Sequence, residues 1–169
     1  MTIEQLGSIG ELVGAIAVIG SLLYVGLQMR QNSKIVRSAT ATAATEISNN
    51  VYTPVISDPV MAEIAIRGMR DPRALDHVEM VRFTGHWQNS FIVLQNWFYQ
   101  WKEGNLDGDI WAGWSQVFCD LYTTPGIKQF WERRKGYFAS PFVAYCENTL
   151  FEGEPTPGYI PLSVQSNQD

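Results

Sequence analysis

An apolar run without a charged residue, residues 12–27, constrains this chain more than any other feature. Extended to residues 9–29, the run has 21 residues. As a helix it would be about 31 Å long, which matches a bilayer hydrocarbon core of roughly 30 Å. A helix buried in a water-soluble core usually carries a polar stripe, and this run has none before Gln28. The sequence therefore predicts a single transmembrane helix, with a buried core helix as the alternative.

A cleavable signal peptide is the other kind of segment that such a run could form. Signal peptides begin with a basic region and end at a cleavage site of small residues. The first 29 residues contain no Lys or Arg, and the nearest A-x-A pattern, at Ala39 and Ala41, lies beyond three basic residues. We therefore expect the segment to be retained as an anchor.

The charged residues on either side of the run predict its orientation. Three basic residues follow it, Arg30, Lys34 and Arg37, whereas the charged residues before it are both acidic, Glu4 and Glu11. Because Lys and Arg next to a span stay in the cytoplasm, we expect the N-terminus outside and the rest of the chain inside.

The net charge of −5 argues against nucleic acid as a partner. Cys119 and Cys146 are too few for a disulfide framework and favour buried thiols in a reducing compartment.

Helical periodicity and helix-start residues continue along the rest of the chain, and no alternating β pattern appears. The fold class is therefore expected to be all-α, with the membrane helix continuing into a cytosolic bundle of about five helices. We expect a membrane segment at 1–30, a cytosolic helical domain at 31–151, and an extended or disordered Pro-rich tail at 152–169. The expected helix starts are Asp58-Pro59, Asp76 with Glu79, Asp107, Thr124-Pro125 and Ser140-Pro141, and Gly104 is expected to end the longest of these helices.

No group of residues identifies a reaction. His77 and His86, nine positions apart on one helix, are predicted to lie on opposite faces. A calcium loop beginning at Asn105 fails, because Ile110 and Gln116 stand where the loop needs glycine and a bidentate acid. We assign no catalytic residue, no cofactor and no metal, and the sequence leans against an enzyme without deciding the question.

An aromatic stripe on the longest predicted soluble helix has two interpretations. Trp87, Phe91, Leu94, Phe98 and Trp101 recur every three or four residues, which is typical of a face packed in a core. So many rings could instead wall a site for a flat hydrophobic ligand. The residues of that candidate ligand pocket are Trp87, Phe91, Trp97, Phe98 and Trp114.

Three consecutive basic residues, Arg133, Arg134 and Lys135, end another predicted helix. Cations at this position complement the helix dipole. In a chain held at a bilayer, the same side chains could contact anionic lipid headgroups. Both interpretations stay open.

Small residues form a seam along one face of the predicted span. The spacing of three and four residues suits close helix–helix packing, and it predicts self-association into a homo-oligomer. The seam residues are Gly7, Gly10, Gly14, Ala17 and Ser21, continued in the same register by Gln28 and Gln31.

A set of residues spread along the chain carries a resemblance: Gly10-Glu11, Arg30-Gln31-Asn32, Asp58-Pro59, Gly104 with Leu106, Trp111 and Trp114, and Pro125-Gly126 before Trp131. Over residues 7 to about 146 the sequence resembles a group of small uncharacterised bacterial membrane-anchored proteins. The resemblance implies the architecture and a bacterial origin, and it implies no activity and no catalytic residue. Together with the predicted span, a bacterial origin leads us to expect an inner-membrane location.

Two functions are compatible with these features. The first is a single-pass membrane protein that self-assembles and presents a cytosolic domain, as a scaffold or a channel-like ring. The second is a membrane-tethered domain that binds or acts on a lipid-like ligand. An apolar cavity beside the aromatic residues favours the second function, and a solid core favours the first. The expected partners are the bilayer and a second copy of the chain.

Overall fold

The structure, a computed structural model, describes residues 3–158, with side chains described for Glu11 and from Gly14 onward. All of its regular secondary structure within that range is helical, so the expected all-α class is confirmed. The α-helices are α1 (Ile3–Ser57), α2 (Pro59–Arg70), α3 (His77–Lys102), α4 (Gly108–Tyr122), α5 (Pro125–Arg134) and α6 (Ser140–Tyr145). Short 3-10 turns occupy Pro72–Ala74 and Lys135–Tyr137, and a π-helical turn occupies Cys146–Leu150.

The chain divides into two compact units, Met1–Ala39 and Thr40–Asp169. In the first unit, α1 carries large apolar side chains that are mostly more than half exposed. They include Ile16, Val18, Ile19, Leu22, Leu23 and Leu27.

Within the described residues, no helix reaches the combination of length and apolar character that a membrane crossing needs. The predicted span at 9–29 includes Ile9, Gly10, Leu12 and Val13, whose side chains lie outside the described part of the chain. The membrane helix therefore stays a prediction.

The helix starts of the second unit follow the sequence closely. Asp58 caps α2 and Asp107 caps α4, each accepting a hydrogen bond from a backbone N–H of the first turn. Asp76 and Glu79 form a reciprocal capping box at the start of α3, with both bonds between 2.9 and 3.0 Å. Gly104 follows the end of α3 with φ +73°, a conformation that glycine adopts without a steric penalty. These predicted boundaries are confirmed.

The last helix differs from the sequence expectation. The sequence predicts a helix that starts at Ser140-Pro141, and the structure divides this segment into α6 and the π-helical turn that follows it. The wider turn places Cys146 in the core, fully buried, and Leu150 almost so. Cys119 is also buried, and both cysteines are free thiols, as expected.

The core of the second unit is organised around α3. Phe91 is fully buried, and its ring lies 5.1 to 5.5 Å from the rings of Phe118, Phe130 and Trp131. Leu94 on the same stripe is also fully buried, so the core interpretation of the stripe is correct for this part of the helix.

Helices α2 and α5 approach each other through a pair of glycines. A Cβ atom added to Gly126 would lie 2.8 Å from the Cα atom of Met69 and closer still to the carbonyl oxygen of Gly68. Both obstacles are backbone atoms, so a side chain at residue 126 can be accommodated only by moving one helix.

We predict that Gly126→Ala destabilises the second unit by about 1–3 kcal/mol, the usual cost of overpacking. Gly113→Ala in α4 is the matched control, because a Cβ atom there meets nothing within 4 Å and alanine favours helix. Urea unfolding followed by circular dichroism measures both variants. A Gly126→Ala variant as stable as the Gly113→Ala variant would contradict the close approach of α2 and α5.

Candidate functional site

An apolar cavity of about 480 Å³ lies within the second unit, among the C-terminal part of α1 and helices α2, α3 and α4. This volume is within the roughly 300–1,000 Å³ range of small-molecule sites. Its lining includes Ser48, Val51, Tyr52, Val55 and Ile56 of α1, Ala65 and Met69 of α2, His86, Trp87, Ser90, Val93 and Trp97 of α3, and Trp114, Val117, Phe118, Asp120 and Leu121 of α4. We call this space the apolar cavity.

The sequence of α3 accounts for the place of the cavity. Trp87, Ser90, Val93 and Trp97 are spaced by three or four residues and therefore share a face of the helix. The two small side chains in the middle of this face lie between two tryptophans. The opposite walls do not fill the space that the small side chains leave.

Aromatic rings form one wall of the apolar cavity. The rings of Trp97 and Trp114 lie 4.7 Å apart, and the ring of Tyr52 stacks on Trp114 at 5.9 Å. Tyr52 is the contribution of α1, so this wall joins the C-terminal part of α1 to α3 and α4.

The residues predicted for a ligand pocket separate into two groups. Trp87, Trp97 and Trp114 line the apolar cavity. Phe91 and Phe98 lie in the core beside it, at 0% and 3% exposure. The physical reason is helical geometry. Phe91 and Phe98 contact rings of α4, α5 and α6, whereas Trp87 and Trp97 bound the neighbouring face of α3 that holds Ser90. Trp114 faces Trp97 from α4.

The contribution of α1 to the cavity was missed by sequence reasoning. The sequence predicts that the membrane helix continues into this region, and nothing in its pattern distinguishes a cavity wall from a packed face. The sequence did contain one signal, Ser90, which is a small polar residue between Trp87 and Phe91 on an otherwise aromatic helix. The structure buries this serine at 2% exposure.

Two polar side chains in the cavity wall have partners within their own helices. The hydroxyl groups of Ser48 and Ser90 donate to the carbonyl oxygens of Ala44 and His86, each at 2.9 Å. Burial lowers the pKa of His86, which favours its neutral form. These three side chains therefore add little charge to the wall.

Two indole N–H groups in the wall lack partners. Trp87 and Trp97 are 6% and 3% exposed, and the nitrogen of each has no acceptor among the described residues. An indole N–H can only donate, and an unsatisfied buried donor costs about 1–3 kcal/mol. Because each nitrogen is also closed to a water-sized probe, a molecule in the cavity does not reach it.

Asp120 is the one acidic side chain in the described cavity wall, and it fastens the C-terminal segment to α4. Its Oδ1 atom accepts from the backbone N–H of Thr156 at 2.7 Å and from the Gln116 amide at 3.1 Å. Its Oδ2 atom accepts from the Thr156 hydroxyl at 2.8 Å. Gln116 also donates to the Glu154 carbonyl oxygen at 3.1 Å.

The tail was expected to be extended or disordered over 152–169. Its described part, 152–158, is irregular in structure and hydrogen-bonded to α4. Residues 159–169 lie outside the described part of the chain.

The basic triplet is only partly available for lipid headgroups. Lys135 lies 2.9 Å from Glu132 and 2.7 Å from Glu147, and these carboxylates raise its pKa. Arg134 stacks over the ring of Tyr137 at 5.4 Å, whereas Arg133 is exposed. The headgroup contact stays a prediction, and Arg133 is the member of the triplet that could best make it.

The seam in α1 is described from Gly14 onward, and Gly7 and Gly10 lie outside the described side chains. Gly14, Ala17, Ser21, Gln28 and Gln31 are all exposed. Self-association through this face stays a prediction.

The described part of the chain contains no cluster of three or more His, Cys, Asp or Glu side chains able to hold a metal ion. Comparisons with protein-family models, curated proteins and solved structures found no match to this chain. The resemblance to bacterial membrane-anchored proteins stays untested, and the site has to be interpreted from its own geometry.

We predict that Asp120→Ala releases Thr156 from α4, because it removes both carboxylate oxygens that accept hydrogen bonds from that residue. Amide exchange at Thr156 should become about tenfold faster or more, consistent with losing charge-assisted hydrogen bonds. Asp109→Ala, which removes an exposed carboxylate from the same helix, is the control and should leave that exchange unchanged. Hydrogen–deuterium exchange resolved by mass spectrometry measures both, and equal exchange in the two variants would refute the anchoring role of Asp120.

Proposed function

We propose that this chain is a membrane-anchored helical domain that binds an apolar ligand in the apolar cavity. The observation that carries the proposal is the cavity itself, about 480 Å³ of space walled by side chains of four helices. Packed helices normally fill such a space with side chains, because it otherwise lacks the dispersion contacts of a core. The exposed Ile56 lies at its edge, where the cavity opens to the surface. A cavity of ligand size beside the predicted aromatic residues favours binding over a purely structural domain.

The chemistry of the wall supports binding in preference to catalysis. Its described titratable side chains are His86, Asp120 and Tyr52. The Asp120 carboxylate accepts three hydrogen bonds from Gln116 and Thr156, so it already serves the C-terminal segment. An active site usually brings together titratable groups with strongly perturbed pKa values. The wall instead offers mainly apolar surface.

The anchoring part of the proposal rests on α1. Ile16, Leu22 and Leu23 are each more than 60% exposed, and charged residues are absent between Leu12 and Leu27. Water solvates such a surface poorly, whereas lipid covers it without cost. The proposed arrangement has residues 9–29 in a bacterial inner membrane, the N-terminus outside and the helical domain in the cytoplasm.

We predict that the neutral probe N-phenyl-1-naphthylamine binds the full chain in lipid nanodiscs with saturable fluorescence enhancement above that of empty nanodiscs. Ser90→Phe should reduce its affinity at least about tenfold, because the phenyl ring occupies the space beside Val93. Asn89→Phe adds the same ring to the exposed neighbouring position and should leave the affinity unchanged. Absence of saturable binding to the wild-type protein would eliminate the ligand-binding proposal.

We also predict that the wild-type protein stays in the membrane pellet after alkaline carbonate extraction. Ile19→Arg should increase the soluble fraction, since arginine near the centre of a span costs about 2.5–3.5 kcal/mol. Val78→Arg, at an exposed position of α3, is the control and should behave as the wild type. Release of the wild-type protein by carbonate would rule out the anchor and leave the cavity proposal standing.

A further inference from the structure

We propose that a basic surface between α3 and α5 binds a phosphate group through Arg133 and Arg134. This surface is separate from the apolar cavity, because the two linings share no residue. The inference therefore does not rest on the proposed ligand-binding function. It follows from the charges of the surface and from its hydrogen-bonding side chains.

Two adjoining clefts shape the basic surface. Arg133 and Arg134 are both in the wall of the first cleft, which has a volume of about 140 Å³. The second cleft, of about 330 Å³, shares Met80, Thr84 and Arg134 with the first, so the two are continuous. Polar atoms form a much larger share of the surface in both clefts than in the apolar cavity. The clefts therefore suit a polar ligand.

No carboxylate in the described part of the chain balances the two arginines. Neither arginine forms an ion pair there, and the described lining of both clefts contains no Asp or Glu. The acidic neighbours in sequence are engaged elsewhere, Glu132 with Lys135 and Glu79 with Arg67. In a chain with a net charge of −5, two unbalanced cations at one cleft favour an anion there.

The donors of the clefts are accessible and unengaged. Arg133 is exposed, and Arg134, Thr84 and Gln129 are each partly exposed, so a ligand in solution can reach them. None of these four side chains donates or accepts a hydrogen bond among the described residues. Arg134 lies over the ring of Tyr137 at 5.4 Å, a contact that leaves its N–H groups able to donate. Donors from both helices therefore converge on one space.

A phosphate monoester matches these donors better than a carboxylate does. It carries about 1.5 to 2 negative charges at pH 7 and three strong acceptor oxygens, and guanidinium groups pair with it bidentately. A carboxylate offers one charge and two oxygens. Phe83 and Phe130, which also line the first cleft, are 2% and 5% exposed and provide an apolar floor beside the arginines. This floor suits an apolar group on the ester.

Phenyl phosphate is the probe for this surface, and benzoate is the comparison with a single charge. Both are titrated by calorimetry into the full chain in phosphatidylcholine nanodiscs. We expect saturable binding of phenyl phosphate, at least about tenfold tighter than that of benzoate. Absence of saturable binding, or benzoate binding as tightly, would overturn the inference.

Two double variants with the same change in charge assign the binding to the clefts. Arg133→Gln with Arg134→Gln should weaken phenyl phosphate binding at least about tenfold. Lys102→Gln with Lys128→Gln removes the same charge from exposed positions outside both clefts and should leave the affinity unchanged. Equal affinities of the two double variants would refute the assignment to Arg133 and Arg134.

A lipid headgroup and a soluble ester could both supply the phosphate group, and the nanodisc lipid distinguishes them. If headgroups supply it, phosphatidic acid should weaken phenyl phosphate binding more than phosphatidylglycerol, a phosphodiester, does at matched surface charge. If a soluble ester supplies it, the two lipids should have equal effects. N-phenyl-1-naphthylamine reports on the apolar cavity, so failure of that probe would remove the proposed function and leave this inference standing.

Discussion

The aromatic stripe of α3 is the interaction on which the second unit depends. Phe91 is fully buried, and rings from α4, α5 and the turn after α5 surround it, the last of them Phe138 at 6.0 Å. Such ring pairs add about 0.5–1.5 kcal/mol each beyond the burial of their apolar area. Because one helix supplies the centre of this cluster, the remaining helices are positioned by their contacts with it.

The same helix also explains why a packed core and a cavity occur side by side. Successive residues of a helix point in different directions, so Phe91 enters the core while Ser90 and Val93 lie on an adjacent face. This adjacent face is bounded by Trp87 and Trp97, which hold the opposite walls away from the small side chains between them. The cavity therefore follows from the side-chain sizes along a single helix, and a large residue at 90 would change the cavity without changing the Phe91 cluster.

The sequence predicts local features of this fold better than its long-range ones. Capping by Asp58, Asp76 and Asp107 depends on neighbouring backbone groups, and these helix starts are confirmed. The helical stripe through Phe91 was also recognised, since its periodicity is contained within one helix. The sequence raised a ligand pocket at the aromatic residues as one of two interpretations. It could not decide between them, because the wall depends on long-range contacts such as the stacking of Tyr52 on Trp114, 62 residues apart in sequence. The hydrogen bond from Thr156 to Asp120 also joins residues far apart in sequence, 36 positions, so the sequence pattern does not predict it.

Asp120 gives the cavity its electrostatic character although it serves the C-terminal segment. Its carboxylate is 7% exposed and accepts three hydrogen bonds, yet it forms no ion pair among the described residues. Neutral donors satisfy the oxygens of a carboxylate without cancelling its formal charge. His86, whose pKa is lowered by burial, offers little positive charge to compensate it. The rest of the described wall is mostly aliphatic and aromatic, so a molecule in the cavity would be held mainly by dispersion contacts.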